Sequence, residues 1–134
     1  PMTYLLDANV LIAMGYTKHQ FHNKVGAWIS SVRTEGDLVF ATCAITELAF
    51  VRAWAQAGYF VDVATARNAL SRLKKNKMIP FRFMSDDVPV ESLQKWVKTP
   101  RQTTDGHLVA LAARHGIKLA TLDKGIPGAF RIPG

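Results

Sequence analysis

One cysteine, Cys43, stands among 134 residues, so no disulfide can form within the chain, and a reducing compartment suits it. No apolar run approaches the roughly 18 residues that span a bilayer. The opening residues run straight into an apolar segment, without the basic-then-apolar order of a secretory signal, and a cytoplasmic location is expected. Glycines do not gather into a phosphate-binding loop, since Gly15, Gly26 and Gly36 are scattered. The four histidines lack zinc-ligand spacing and cysteine neighbours; His19 and His22 read as solvated residues of a polar connection, and Cys43 as a small buried apolar residue. With no repeat, low-complexity tract or linker, residues 1–134 are expected to form one domain.

Negative charge is also scarce. Ten Asp and Glu face 17 Lys and Arg, a net charge of +7 that favours a polyanionic partner over a neutral one. The bases are grouped, as Arg67/Arg72/Lys74/Lys75/Lys77 and Lys95/Lys98/Arg101, and nucleic acid rather than membrane is the expected partner.

Four of the few acids occupy telling places. Asp7 follows Tyr4-Leu5-Leu6, and Glu47 follows Leu38-Val39-Phe40-Ala41 across a short cap. Asp105 opens a helical stretch, and Asp123 follows the apolar run Ile117–Leu122. In an open α/β sheet, ligands bind outside the carboxyl ends of the strands. Carboxylates gathered there repel by about 4 kcal/mol per pair near 4 Å at an effective dielectric of about 20. Protons or a hard divalent cation relieve that repulsion, and Mg²⁺ or Mn²⁺ takes such oxygen ligands. Asp7, Glu47, Asp105 and Asp123 are therefore the expected metal ligands and catalytic acids.

Each acid also has a plain structural reading. Asp7 suits the N-cap of a following helix, Asp105 a favourable first-turn position, and Asp123 an ordinary turn. Glu47 lies among Ile45, Leu48, Phe50, Val51 and Trp54, where an unpaired charge is costly to bury. Arg52, five residues on, is poorly placed for a same-face pair, so Glu47 is expected to serve the metal.

Periodicity predicts strands at Thr3–Leu6, Leu38–Ala41, Met78–Phe83 (an edge strand, given Pro80), Ile117–Thr121 and Ala129–Ile132. Helices are predicted at Asn9–Met14, at Phe21–Arg33 with Val25, Trp28, Ile29 and Val32 on one face, and from a Thr42 cap to about Gln56, closed by Gly58. Further helices are predicted at about Val61–Lys75, with Val63, Ala66, Leu70 and Leu73 inward, at Val90–Lys98, and at Asp105–His115, capped by Thr103 or Thr104 and ended by Gly116. The alternation implies a three-layer α/β/α domain around a mostly parallel sheet of four or five strands. The strands ending in Asp7 and Asp123 belong near its centre.

Leu5-Leu6-Asp7-Ala8-Asn9-Val10-Leu11-Ile12, then Thr46-Glu47-Leu48, Thr104-Asp105 and Thr121-Leu122-Asp123, resembles the PIN-domain ribonucleases. Among them it is most similar to the VapC toxins of type II toxin–antitoxin pairs, from Met2 to about Phe130. The resemblance implies a Mg²⁺- or Mn²⁺-dependent endoribonuclease in which metal-activated water hydrolyses RNA. It also implies a homodimer and a cognate VapB-like antitoxin that holds the enzyme inactive. Asn9 and Thr121 match family positions beside the first and last acids and are expected to support them by hydrogen bonds. The helix bearing Phe50, Val51, Trp54 and Ala55, with Tyr59-Phe60 after it, is expected to supply part of a dimer face or antitoxin groove.

Two other readings remain open. One is a phosphoaspartate-type phosphoryl-transfer domain, although Asn9 stands where the Asp-x-Asp pattern wants a second acid. The other is a non-catalytic nucleic-acid-binding module whose acids only cap helices.

Overall fold

The computed structural model describes residues 2–56 and 62–134. Gly58, expected to close a helix, Tyr59 and Phe60, expected at an interface, and Val61 lie outside the described residues. Five strands, β1 (Met2–Leu6), β2 (Leu38–Thr42), β3 (Phe81–Phe83), β4 (Lys118–Thr121) and β5 (Phe130–Arg131), form one sheet in the order β3-β2-β1-β4-β5. Every pairing is parallel. The helices are α1 (Ala8–Gly15), α2 (His22–Glu35), α3 (Ala44–Ala55), α4 (Val63–Lys74) and α5 (Thr103–Arg114).

The two-residue period of a strand sorts the core into two halves. Leu6, Phe40 and Ala120 face one side, where Val10, Val25, Trp28, Phe50 and Leu70 of α1 to α4 cover them. Leu5, Ala41 and Leu119 face the other, against Leu108, Leu111 and Ala112 of α5. Both faces are dry, which is why these strands read as unbroken apolar runs. The expected three-layer architecture is present, with β1 central and β4 beside it.

Several expectations about single elements need correcting. Val90–Lys98 is not a helix: a single 3₁₀ turn at Val90–Ser92 gives way to extended backbone at Leu93 (ψ 138°). Tertiary contact overrides propensity there, because Gln94 donates its Nε2–H to the carbonyl of Gly106 at 3.0 Å and the segment lies against α5. Thr42 does not cap α3; it is the last residue of β2, and Cys43 takes the cap, its N–H donating to Thr46 Oγ1 at 3.1 Å. Neither Thr103 nor Thr104 caps α5, since a 3₁₀ turn at Pro100–Gln102 leads directly into the helix at Thr103. Asp62 caps α4, whose inward face is Ala66, Ala69 and Leu70, while Val63 is 57% exposed. β3 starts only at Phe81 because Asn76 Oδ1 accepts from the N–H groups of Met78 and Ile79, holding that stretch in a turn. Phe50 is fully buried and stacked on Trp54, so it belongs to the core rather than to an open face. Gly116 ends α5 at φ +71°, the left-handed conformation expected of it.

Candidate metal centre

Strand order places the site before any side chain is considered. From β1 the chain steps outward through β2 and β3, then returns to the other side of β1 for β4 and β5. The order reverses between β1 and β4, and the crevice beyond their carboxyl ends is where such sheets bind ligands.

Asp7 continues the β1–β4 pairing one residue beyond the strand, its N–H donating to the Ala120 carbonyl at 2.9 Å. It then becomes the N-cap of α1, as the plain reading of the sequence expected, with Oδ1 accepting from the Ala8 N–H at 2.8 Å. Its other oxygen, Oδ2, accepts from the Thr121 hydroxyl at 2.8 Å. Thr121 is wholly buried at the end of β4, and its Oγ1 also accepts from the Asp123 N–H at 3.1 Å. One hydroxyl thus ties the first acid to the backbone of the last. Asn9 Oδ1 accepts from the Leu122 N–H at 3.4 Å, holding the peptide that leads into Asp123.

Asp105 reaches the same place from the opposite helical layer, in the first turn of α5. One carboxylate oxygen from each of Asp7, Asp105 and Asp123 lies within 4.8 Å of the others. Asp7 is buried at 8% exposure, Asp105 half-buried and Asp123 exposed, so the cluster grades from core to solvent. Among the described residues, none of the three forms an ion pair.

The electrostatics follow from that crowding. Burial pushes the Asp7 carboxyl above the usual range; hydrogen bonds from Thr121 and Ala8 pull it down, while Asp123 and Asp105 push it further up. Asp105 is raised by burial and then by Asp123. The donor set fits a hard divalent cation. Oxygens bound at about 2.0–2.6 Å lie at most about 4–5 Å apart across the ion, which matches the observed grouping.

Glu47, the fourth expected ligand, is not in that group. It lies on α3, after β2, and its Oε2 accepts from Lys74 Nζ and Thr42 Oγ1, each at 2.5 Å. Lys74 sits on α4, 27 positions away, beyond the reach of local spacing rules that considered only Arg52. The histidines are also better partnered than expected. His22 Nδ1 bonds the Ala13 carbonyl at 2.7 Å, joining α1 to α2, and His107 pairs with Asp86.

Two features were missed from sequence. Asp105 and Asp123 open into a cleft of about 380 Å³ whose wall includes Trp96, Arg101 and Lys124. Gly106, directly after Asp105, makes close packing possible: a Cβ there would lie 2.4 Å from Val97 Cγ2 and 2.9 Å from Gln94 Oε1. A glycine inside a helix, next to a candidate ligand, was the available signal.

A PIN-domain family description matches residues 4–129. Ribonuclease VapC38 of Mycobacterium tuberculosis is 35% identical over 126 residues, covering 91% of this chain and 86% of that protein. Ribonuclease VapC44 of the same species is 33% identical over 139 residues, covering 97% and 96%. Among solved structures, Mycobacterium tuberculosis VapC20, described as a sarcin-ricin loop cleaving toxin, superposes with TM-score 0.61 at 11% identity, over 91% of this chain and 89% of its own. VapBC2 from Rickettsia felis, solved bound to a DNA fragment from its promoter, gives TM-score 0.64 at 12% identity over 97% of each chain.

Proposed function

The chain belongs to the PIN-domain family as a VapC-type member, and from this premise we propose that it is a Mg²⁺- or Mn²⁺-dependent endoribonuclease neutralised by a cognate VapB-like antitoxin. The observation that carries the reading is the convergence of three carboxylates that, among the described residues, have no ion-pair partner. Helix capping accounts for one oxygen of Asp7 and gives no reason for Asp105 and Asp123 to join it.

In this reading Asp7, Asp105 and Asp123 hold the ion. A divalent cation bound there supplies positive charge for the scissile phosphate and lowers the pKa of a water. Thr121 and the Ala8 N–H fix both oxygens of Asp7, so the deepest ligand needs little reorganisation. Asn9 and Thr121 together hold the backbone that carries Asp123. Asp123, the exposed member, and Glu47, after the neighbouring strand, are the acids assigned to position and deprotonate the attacking water. Water is the nucleophile in this reading: its oxygen bonds to phosphorus as the bond to the 3′-oxygen breaks, which leaves a 5′-phosphate and a 3′-hydroxyl. Surface Lys and Arg capture the strand, as the net charge of +7 suits. A cytoplasmic homodimer, released from its antitoxin to act on RNA, is the state assigned to the active protein. Among the described residues, no helix is long and apolar enough to cross a membrane.

The test is purification free of any partner, followed by sequencing of RNA ends generated with Mg²⁺ and with EDTA. Metal-dependent 5′-phosphate ends are expected. Cleavage in EDTA, or 2′,3′-cyclic ends, would contradict the mechanism.

A further inference from the structure

The three tryptophans are used differently. Trp28 belongs to the larger apolar core and Trp54 packs against it. Trp96 belongs to neither apolar cluster of the described residues. It is half-buried, and it forms part of the wall of the cleft into which Asp105 and Asp123 open. Arg101 and Lys124, both exposed, line the same cleft. An aromatic side chain and two cations lining one cleft are the combination that holds an unpaired nucleotide: a ring can take a base, and cations can take neighbouring phosphates.

Resting on the ribonuclease reading above, we propose that Trp96, Arg101 and Lys124 form a nucleotide subsite beside the acidic centre, in which one unstacked RNA base lies on the Trp96 indole. Such a subsite favours an unstacked base over a paired one, because a base inside a duplex has both faces covered by its neighbours. The cations have a second task. Three aspartates repel an approaching phosphate, and Arg101 and Lys124 offset that repulsion inside the same cleft.

The subsite is built into the backbone. Gln102 Oε1 accepts from the N–H groups of Lys98 at 2.7 Å and Thr99 at 3.2 Å, and Thr103 Oγ1 donates to the Pro100 carbonyl at 2.7 Å. These bonds fix the 3₁₀ turn that presents Arg101. Gly125, at φ +76°, turns the chain directly after Lys124. Gly106 lets residues 93–97 lie on α5 next to Asp105, which is what brings Trp96 to the cleft. A platform ordered before binding loses little entropy when a strand arrives.

The test uses the full chain free of antitoxin and a fluorescein-labelled, mixed-sequence single-stranded RNA of about ten nucleotides, in the range of single-strand site sizes. Binding is read by anisotropy in EDTA, with a duplex of the same length in parallel. Trp96→Ala is expected to weaken single-strand binding about ten- to a hundredfold, the range for loss of one base stack. Trp96→Phe is expected to restore most of it, and duplex binding should change little. With Mg²⁺, Trp96→Ala should raise KM more than it lowers kcat, and the Mn²⁺-induced rise in Tm should stay that of the parent. Trp96→Leu covers the case in which alanine unfolds the domain: it keeps apolar bulk without a ring and is expected to bind like Trp96→Ala. Parent-like single-strand binding by Trp96→Leu, or equal losses for strand and duplex, overturns the subsite. A parent protein that binds single strands through Trp96 but cuts no RNA keeps the subsite and removes the ribonuclease reading. One that cuts RNA with KM unchanged by Trp96→Leu does the reverse.

Discussion

Two acidic corners follow neighbouring strands at the carboxyl edge of the sheet, and the protein treats them oppositely. After β2, Glu47 gives one oxygen to both Lys74 and Thr42, so its charge is answered from within the chain. After β1 and β4, Asp7, Asp105 and Asp123 crowd within 4.8 Å, and among the described residues no cation pairs with them. In sequence the corners look alike, an acid soon after an apolar strand. What separates them is a lysine on another helix. The lesson is that acid spacing locates a carboxylate, while the countercharge decides whether it is left for a metal.

The largest expected difference between the corners is in RNA cleavage. Asp105→Asn should lower it by about a thousandfold or more, since an ion contributes several kcal/mol and each 1.36 kcal/mol is tenfold. Glu47→Gln should cost about a hundredfold, as for a lost general base. Initial rates on one labelled RNA compare the two. A Glu47→Gln variant as inactive as Asp105→Asn, and equally deaf to Mn²⁺, would merge the corners into one site.

Stability gives the next contrast. Gly106→Ala must displace the side chains of Val97 and Gln94 that lie on α5, an overpacking cost of about 1–3 kcal/mol that chemical denaturation measures. Parent-like stability would mean that the segment moves freely and does not fix the cleft. Lys74→Met should cost about 1 kcal/mol, because the pair's side chains keep 28% and 22% exposure and solvent screens them. It leaves Glu47 uncompensated, turning the paired corner into a weaker copy of the unpaired one.

How much of this was legible in the sequence depended on the range of the interaction. Strands and layers were readable because burial on both faces writes short, mostly apolar runs, at Leu38–Thr42 and in the three buried residues that follow the exposed Lys118 in β4. Asp7, Asp105 and Asp123 were readable because each follows a strand or opens a helix. The pairing of Glu47 was not, because Lys74 lies 27 residues on, within a run of bases that in sequence reads only as a basic patch. The Val90–Lys98 segment was misread as helix for the same kind of reason: its conformation is set by contact with Gly106, which no local period records.

The smallest expected effect is on pH. Asp7 and Asp105 carry raised carboxyl pKa values in the folded state. Such groups favour folding fully only below the unfolded value of about 3.9, and that contribution is lost as pH rises through the folded value. Without metal the protein should therefore lose stability as pH climbs above about 4. Asp7→Asn, which can still cap α1, should flatten that slope and raise Tm near neutrality. An unchanged slope would mean that the crowding is relieved in solution.

The most direct measurement is a Mn²⁺ titration of Tm for the parent, Asp105→Asn and Glu47→Gln proteins. Ligand that binds only the folded state stabilises by RT ln(1+[L]/Kd). The parent and Glu47→Gln curves should climb together with Mn²⁺, while Asp105→Asn starts higher and stays flat. A flat parent curve, or an Asp105→Asn curve that climbs with it, would contradict the claim that the three aspartates, none of them in an ion pair among the described residues, are a cation site.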